Sequence, residues 1–207
     1  MKINPASLSK RDSHELFMSA IVPRPIAFVS TIDESGVFDV APFSSFAPMG
    51  LKPPLVCLHI GLKRDGQKKR TLRNIEFSKE FVVNVVDGTL AEAMNQASAE
   101  YPDDVDKFKE VGLTPVKGDL VQAPVVAESP VNMECKLVRI LEFGEVPTGG
   151  HMLIGEVVLV HVKDELWAGD EIDMSKLKAI GRLGGELYCR TTDTFEIKRP
   201  HDYEFRK

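Results

Sequence analysis

Along this chain the apolar residues more often alternate, or run together between turn residues, than recur every three or four positions. Residues 26–32, IAFVSTI, are β-branched and aromatic and predict a strand. Asp33-Glu34-Ser35-Gly36 interrupts it as a turn, and VFDVAPF follows as the antiparallel hairpin partner. LVCLHIG (55–61) is nearly all apolar, which predicts a strand buried on both faces. EFVVNVVD (80–87) predicts another strand, and VNMECKLVRILEFGEV (131–146) alternates like a half-buried one. Thr148-Gly149-Gly150 then turns into a long strand, HMLIGEVVLVHVKDE (151–165).

Helical spacing is confined to short stretches. Asp12-Ser13 ahead of HELFMSA predicts a capped helix, stopped by Pro23 and Pro25. TLRNIEFSK (71–79) has apolar residues at 72, 75 and 77. TLAEAMNQASAEY (89–101) opens with Thr89 as cap and Glu92 three positions on, a capping-box spacing. DDVDKFKEVG adds a helical turn, after which Pro115, Pro124 and Pro130 mark extended chain. GRLGGELYCR (181–190) reads as a glycine-rich turn. Helices of 10–15 residues do not regularly separate the strands, so a doubly wound parallel sheet is disfavoured. The expectation is a mainly β protein: an antiparallel barrel with helical insertions.

Composition limits the setting. The 207 residues suit a single domain spanning 1–207 with a helical insertion around 88–110. A chain of this size buries roughly 70% of its unfolded surface and needs no staple. With 26 Lys+Arg against 31 Asp+Glu, the formal charge of −5 argues against a nucleic-acid partner. No apolar run nears the ~18 residues of a membrane span, and MKINPASLSKRDSHELF lacks a signal-peptide core, so a cytoplasmic protein without a membrane partner is expected. Cys57, Cys135 and Cys189 are far apart and form no CxxC pair, so reduced, mostly buried thiols are expected.

Most common chemical motifs are missing. GLKRDGQKK (61–69) nearly matches a phosphate-cradling P-loop, but Gln67 stands where the lysine is required. Neither GxGxxG nor GxSxG occurs. The five histidines, His14, His59, His151, His161 and His201, show no HxH or HxxxH spacing. His151 and His161 are ten positions apart, about 33 Å along one strand at ~3.3 Å per residue, so no metal is expected.

Two segments carry more. APFSSFAPMG (41–50) mixes small, hydroxyl and aromatic residues between prolines. It reads either as an irregular barrel corner or as a wall against a flat aromatic ligand. There Ser44 and Ser45 would bond the polar edge and Phe46 would cover a face. KKRTLRNI (68–75) reads either as a solvated basic helix start or as an anion site, where Lys69, Arg70 and Thr71 reinforce a helix N-terminus. Lys63, Arg64, Lys68, Lys69, Arg70 and Arg73 fall within eleven positions, a local exception to the acidic mean.

The ordered series RPIAFVST, APFSSF, PPLV, TLRNI and EFVVN resembles the flavin-reductase-like FMN-binding proteins, a group that includes flavoredoxin and the small NAD(P)H:flavin oxidoreductases. The likeness is clearest over 20–90 and continues through GHMLIGEVVLVHV and GRLGGELYCR. It implies a six-stranded, Greek-key split β-barrel that forms a homodimer with FMN near the interface. NAD(P)H would be the transient electron donor and a small molecule or protein the acceptor. Two readings stay open: an NAD(P)H-dependent flavin reductase, or an FMN-binding electron carrier without that activity. No catalytic side chain is implied, because the flavin carries the chemistry.

Carried onto this chain, the resemblance places Ser30 and Thr31 at the flavin ring edge or ribityl chain. Ser44, Ser45 and Phe46 fall along the ring, and Lys69, Arg70 and Thr71 at the phosphate. Asn84 is a ligand contact or a structural hydrogen bond, and His151 a flavin-site residue or a satisfied strand-end histidine. Arg182, Gly184, Gly185 and Tyr188 match the C-terminal pocket segment. The family's phosphate loop usually reads K-D-T where this chain has Lys69-Arg70-Thr71, and often has asparagine where this chain has Asp39.

Overall fold

A computed structural model describes residues 1–146 and 149–198. Helix α1 (Lys10–Ala20) precedes four strands: β1 (Ala27–Ile32), β2 (Phe38–Phe43), β3 (Phe46–Leu51) and β4 (Pro54–Gly61). Helix α2 (Arg70–Ser78) leads into β5 (Glu80–Val85), followed by the short helices α3 (Ala91–Ala97) and α4 (Lys107–Glu110). A small hairpin, β6 (Pro115–Val116) with β7 (Val125–Val126), precedes the long strands β8 (Val131–Phe143) and β9 (Gly150–Val162). Helix α5 (Met174–Leu177) and a last hairpin, β10 (Ile180–Arg182) with β11 (Tyr188–Arg190), follow.

Seven strands form one antiparallel sheet in the order β2-β1-β5-β8-β9-β4-β3. Its margins are β2 and β3, yet only Ser44 and Ser45 separate these strands in the chain. Extended chain reaches at most about 3.6 Å per residue, so the sheet has to curl until its margins meet. The result is a split β-barrel with its seam at the two serines. The Ser45 carbonyl accepts from the His59 N–H at 2.9 Å, which ties the seam to β4.

The sheet has seven strands rather than the expected six, because APFSSFAPMG continues β2 and then supplies all of β3. Its prolines are tolerated because both strands lie at a margin. Pro48 sits at a register shift in the β3–β4 ladder, where a missing N–H is harmless.

Two apolar layers share β1. Ala27 and Val29 face the barrel interior with Leu58, Ile60, Phe81, Val83 and Leu153, and Leu72 and Ile75 of α2 complete that cluster. Phe28 and Val40 face outward under Met94, Ala97, Phe108 and Val111, so the helical insertion covers the outer face of β1 and β2. Phe38 meets Phe108 edge-on, with ring centroids 5.9 Å apart.

Several local expectations shift. Strand β4 is half-buried rather than buried on both faces: Val56, Leu58 and Ile60 point inward, while His59 is exposed on the uncovered side. Helix α1 begins earlier than expected, capped by Ser9, whose Oγ accepts from the Asp12 N–H at 3.1 Å. Thr89 does not cap α3; the Asp87 carboxylate takes the Thr89 and Leu90 N–H groups instead. Thr148 and His201 lie outside the described residues. Among the described residues, no helix is long and apolar enough to cross a membrane.

Candidate functional site

The seam opens into a cavity of about 600 Å³. Phe43, Ser44 and Ser45 form one wall, His59 and Gly61 of β4 a second, and α1, α3 and the β10–β11 turn the rest. A smaller cavity of about 90 Å³ shares Pro42, Phe43, Lys69 and Ser98 with it and reaches Arg70, Thr71 and Lys107. The seam places both cavities: where two sheet margins meet without pairing fully, side chains fill the gap incompletely.

Helix α2 starts against the smaller cavity. Lys69 is its N-cap, in extended conformation, and no side chain among the described residues caps the first turn. Its N–H groups therefore add to the positive end of the helix dipole. The Lys69 ammonium stands 5.9 Å from the Phe43 ring centroid. Burial, above all, pushes its pKa below the usual lysine value; Glu100 opposes that effect and Lys107 adds to it. The His59 imidazole, partly desolvated at the cavity wall, is likewise held below its ordinary value by that burial and then by His151 and Lys69.

Of the residues the sequence singled out, Ser44, Ser45, Lys69, Arg182, Gly185 and Tyr188 meet in the larger cavity. Arg182 stacks over the Tyr188 ring at 4.5 Å. The others stand elsewhere. The Ser30 hydroxyl donates to the Pro124 carbonyl, and Asn74 donates to Thr31 Oγ1 at 3.0 Å, both inside the protein. Asn84 is a structural clip: its Nδ2 donates to Phe28 O at 2.8 Å and Ser30 Oγ at 3.0 Å. Its Oδ1 accepts from Val126 N at 3.0 Å and Asn132 Nδ2 at 2.8 Å. Phe46 packs against the barrel core.

Of these two cavities Arg70 and Thr71 line only the smaller, and their side chains are committed. The Arg70 guanidinium donates to Val105 O at 2.7 Å and lies 3.5 Å from Asp33. The Thr71 hydroxyl donates to Asp39 at 2.8 Å. What these two residues still offer an anion is the helix N-terminus itself. His151 is buried beside Glu142, with Nε2 3.4 Å from the carboxylate and Nδ1 without a hydrogen-bond partner among the described residues.

Three basic cavity residues were not singled out from the sequence. His59 sits at a polar phase of its strand, which was the available signal. Arg24, between Pro23 and Pro25, gave none. His14 comes from the exposed face of α1.

Asp119, Glu134 and His161 bring ligand atoms within 4.8 Å of one another on the far side of the sheet. Glu134 is fully engaged there, accepting from the N–H groups of Asp119, Leu120 and Val121 and meeting His161 Nε2 at 2.6 Å.

An antiparallel split barrel defines the class, and the comparisons agree. The chain belongs to the family described as flavin reductase like domain, whose sequence model matches residues 18–173. An uncharacterized protein of Halalkalibacterium halodurans is 39% identical over 204 residues, covering 97% of each chain. The crystal structure of nitrilotriacetate monooxygenase component B from Bacillus cereus matches with TM-score 0.91 at 33% identity, over 95% of this chain and 98% of that one. That of 2-nitrobenzoate 2-nitroreductase NbaA from Pseudomonas fluorescens matches with TM-score 0.89 at 29% identity, over 100% of both.

Proposed function

We propose that this chain binds FMN in the seam cavity and acts as an NAD(P)H-dependent oxidoreductase, passing electrons on to a small-molecule or protein acceptor. The observation that carries this reading is the uncapped N-terminus of α2 with Lys69 at the junction of the two cavities. Family membership supports it, as do the redox activities named for the two solved relatives.

The residues present suit the cofactor. About 600 Å³ lies within the roughly 300–1,000 Å³ usual for small-ligand sites. Lys69 is a partly buried cation without a carboxylate ion pair among the described residues, and a phosphate dianion would supply the missing partner. The Ser44 hydroxyl accepts from Arg24 Nε at 3.3 Å, which leaves its own proton free to donate to the polar edge of a ring. Bound FMN would supply the hydride-accepting centre that protein side chains lack. The protein's part is then to anchor the phosphate with Lys69 and the first turn of α2, offer hydroxyls from the seam, and shield the site with α1 and α3.

We further propose a homodimer. Leu51 and Met49 of β3, a margin strand of the sheet, are exposed apolar residues that a second copy would cover.

Adding FMN to the purified chain should quench flavin fluorescence to a plateau at one FMN per chain. Anaerobic NADH or NADPH should then bleach the bound flavin. If FMN does not bind, the reading fails. If it binds and neither donor bleaches it, the hydride step fails.

A further inference from the structure

The larger cavity holds more positive charge than one phosphate accounts for. Its cationic lining includes Lys69, Arg24 and Arg182, and its one carboxylate, Glu15, pairs with Arg11 at 2.9 Å. Arg24 and Arg182 are paired neighbours, whereas Lys69 is the cation of this lining that also faces the smaller cavity. Burial and then Arg182 press on Arg24, whereas the charges acting on Lys69 are Glu100 and Lys107.

The arginines are used differently. Arg24 is buried and largely spent: Nε donates to Ser44 Oγ, one terminal nitrogen to the Met18 and Ile21 carbonyls, and the other to Leu183 O at 3.0 Å. It frames the cavity by tying the end of α1, the seam and the β10–β11 turn together. Arg182 donates only to Gly185 O and has no carboxylate in ion-pair reach among the described residues. Its stacking on Tyr188 consumes no N–H donor and holds the guanidinium plane in place.

The platform is fixed. Arg24 and Arg182 exchange backbone hydrogen bonds, both of 2.9 Å. Gly185 has φ +59°, and a Cβ on Gly184 would stand 3.0 Å from Ser19 Cβ, so the turn packs directly on α1.

We propose that Arg182, held by Arg24 and Tyr188, anchors the anionic group, a phosphate or a carboxylate, of the reactant that exchanges electrons with the flavin. The inference rests on the FMN reading above. A planar guanidinium fork suits either anion in two-point contact. An anion arriving between two neighbouring arginines also relieves their mutual repulsion.

Calorimetric titration of the FMN-loaded protein tests this. The probes are NAD+ and NADP+, which accept no hydride from oxidised flavin, and benzoate against neutral benzamide. Arg182→Ala should weaken at least one anionic probe tenfold or more while FMN affinity stays within twofold, and Arg182→Lys should recover part of the loss. A response to the dinucleotides identifies the phosphate source, and a response to benzoate but not benzamide the carboxylate source.

The proposal is overturned if no anionic probe binds the wild type, or if Arg182→Ala binds them all unchanged. It is also overturned if FMN affinity itself falls tenfold. If the wild type takes up no FMN, the functional reading fails by itself. Inorganic pyrophosphate titrated into the same proteins without flavin then decides the site: binding lost in Arg182→Ala keeps it, and equal or absent binding removes it.

Discussion

Asp39 and Lys107 form an ion pair of 3.1 Å in which the carboxylate is entirely buried. The same carboxylate accepts the Thr71 hydroxyl at 2.8 Å and lies 3.9 Å from Arg70. One side chain on β2 therefore holds the first turn of α2 and the start of α4. The structure predicts that Asp39→Asn, which keeps the shape and removes the charge, leaves the buried Lys107 without a carboxylate partner among the described residues, while Arg70 keeps Asp33. It should cost about 3 kcal/mol in stability, read as a fall in the urea midpoint. An unchanged midpoint would show that the charge is not needed there.

Glu134 gives the fold an acid limit. Burial alone would raise its pKa, but the Asp119 N–H, His161 and the Leu120 N–H outweigh that and hold it below the ordinary 4.5. A lowered carboxylate pKa adds stability above about pH 4.5, and this is lost as pH falls through the folded value. Urea midpoints measured from pH 7 to pH 3 should drop at the acid end. Glu134→Gln should flatten that drop; an acid limb identical to wild type would refute the assignment.

How much of this could be read locally follows from where each residue's partners lie. Strands β1, β5, β8 and β9 are legible because their apolar phases are uninterrupted. Strand β3 is not, since Pro48 and Gly50 mask it and only pairing with β4 defines it. The place of Lys69 at the cavities is legible because charge and helix start coincide. Arg70 and Thr71 look the same in sequence, but their partners Asp33 and Asp39 lie 37 and 32 positions away. The two departures from the family's motifs, Asp39 and Arg70, also meet in space at 3.9 Å. Spacing sees each alone, and only the fold shows them as one contact.

The thiols should divide by burial. Cys135 is buried under the barrel wall, and burial pushes its pKa up to about 12. Cys57 and Cys189 are free and half-exposed. A thiol-reactive disulfide reagent at pH 8 should therefore label two cysteines in the native protein and all three in denaturant. Rapid native labelling of Cys135, located by peptide mapping, would contradict the packing described.

His59 should report on the cavity's charge. Its folded pKa lies below 6.5, so protonation opposes folding, and His59 takes stability away as pH falls below about 6.5. NMR titration should place its midpoint below 6.5 in the free protein and move it upward once FMN brings an anion beside Lys69. A midpoint at or above 6.5 without FMN would contradict the partly desolvated environment beside His151 and Lys69.

The central claim is that Lys69 and the first turn of α2 hold the phosphate of FMN. Comparing dissociation constants for FMN and riboflavin, which differ by that phosphate, tests it most directly. Wild type should bind FMN far more tightly than riboflavin, and Lys69→Ala should lose roughly 10- to 100-fold of FMN affinity while riboflavin binding barely changes. Equal affinity of the wild type for the two flavins, or an FMN affinity indifferent to Lys69→Ala, would contradict the account.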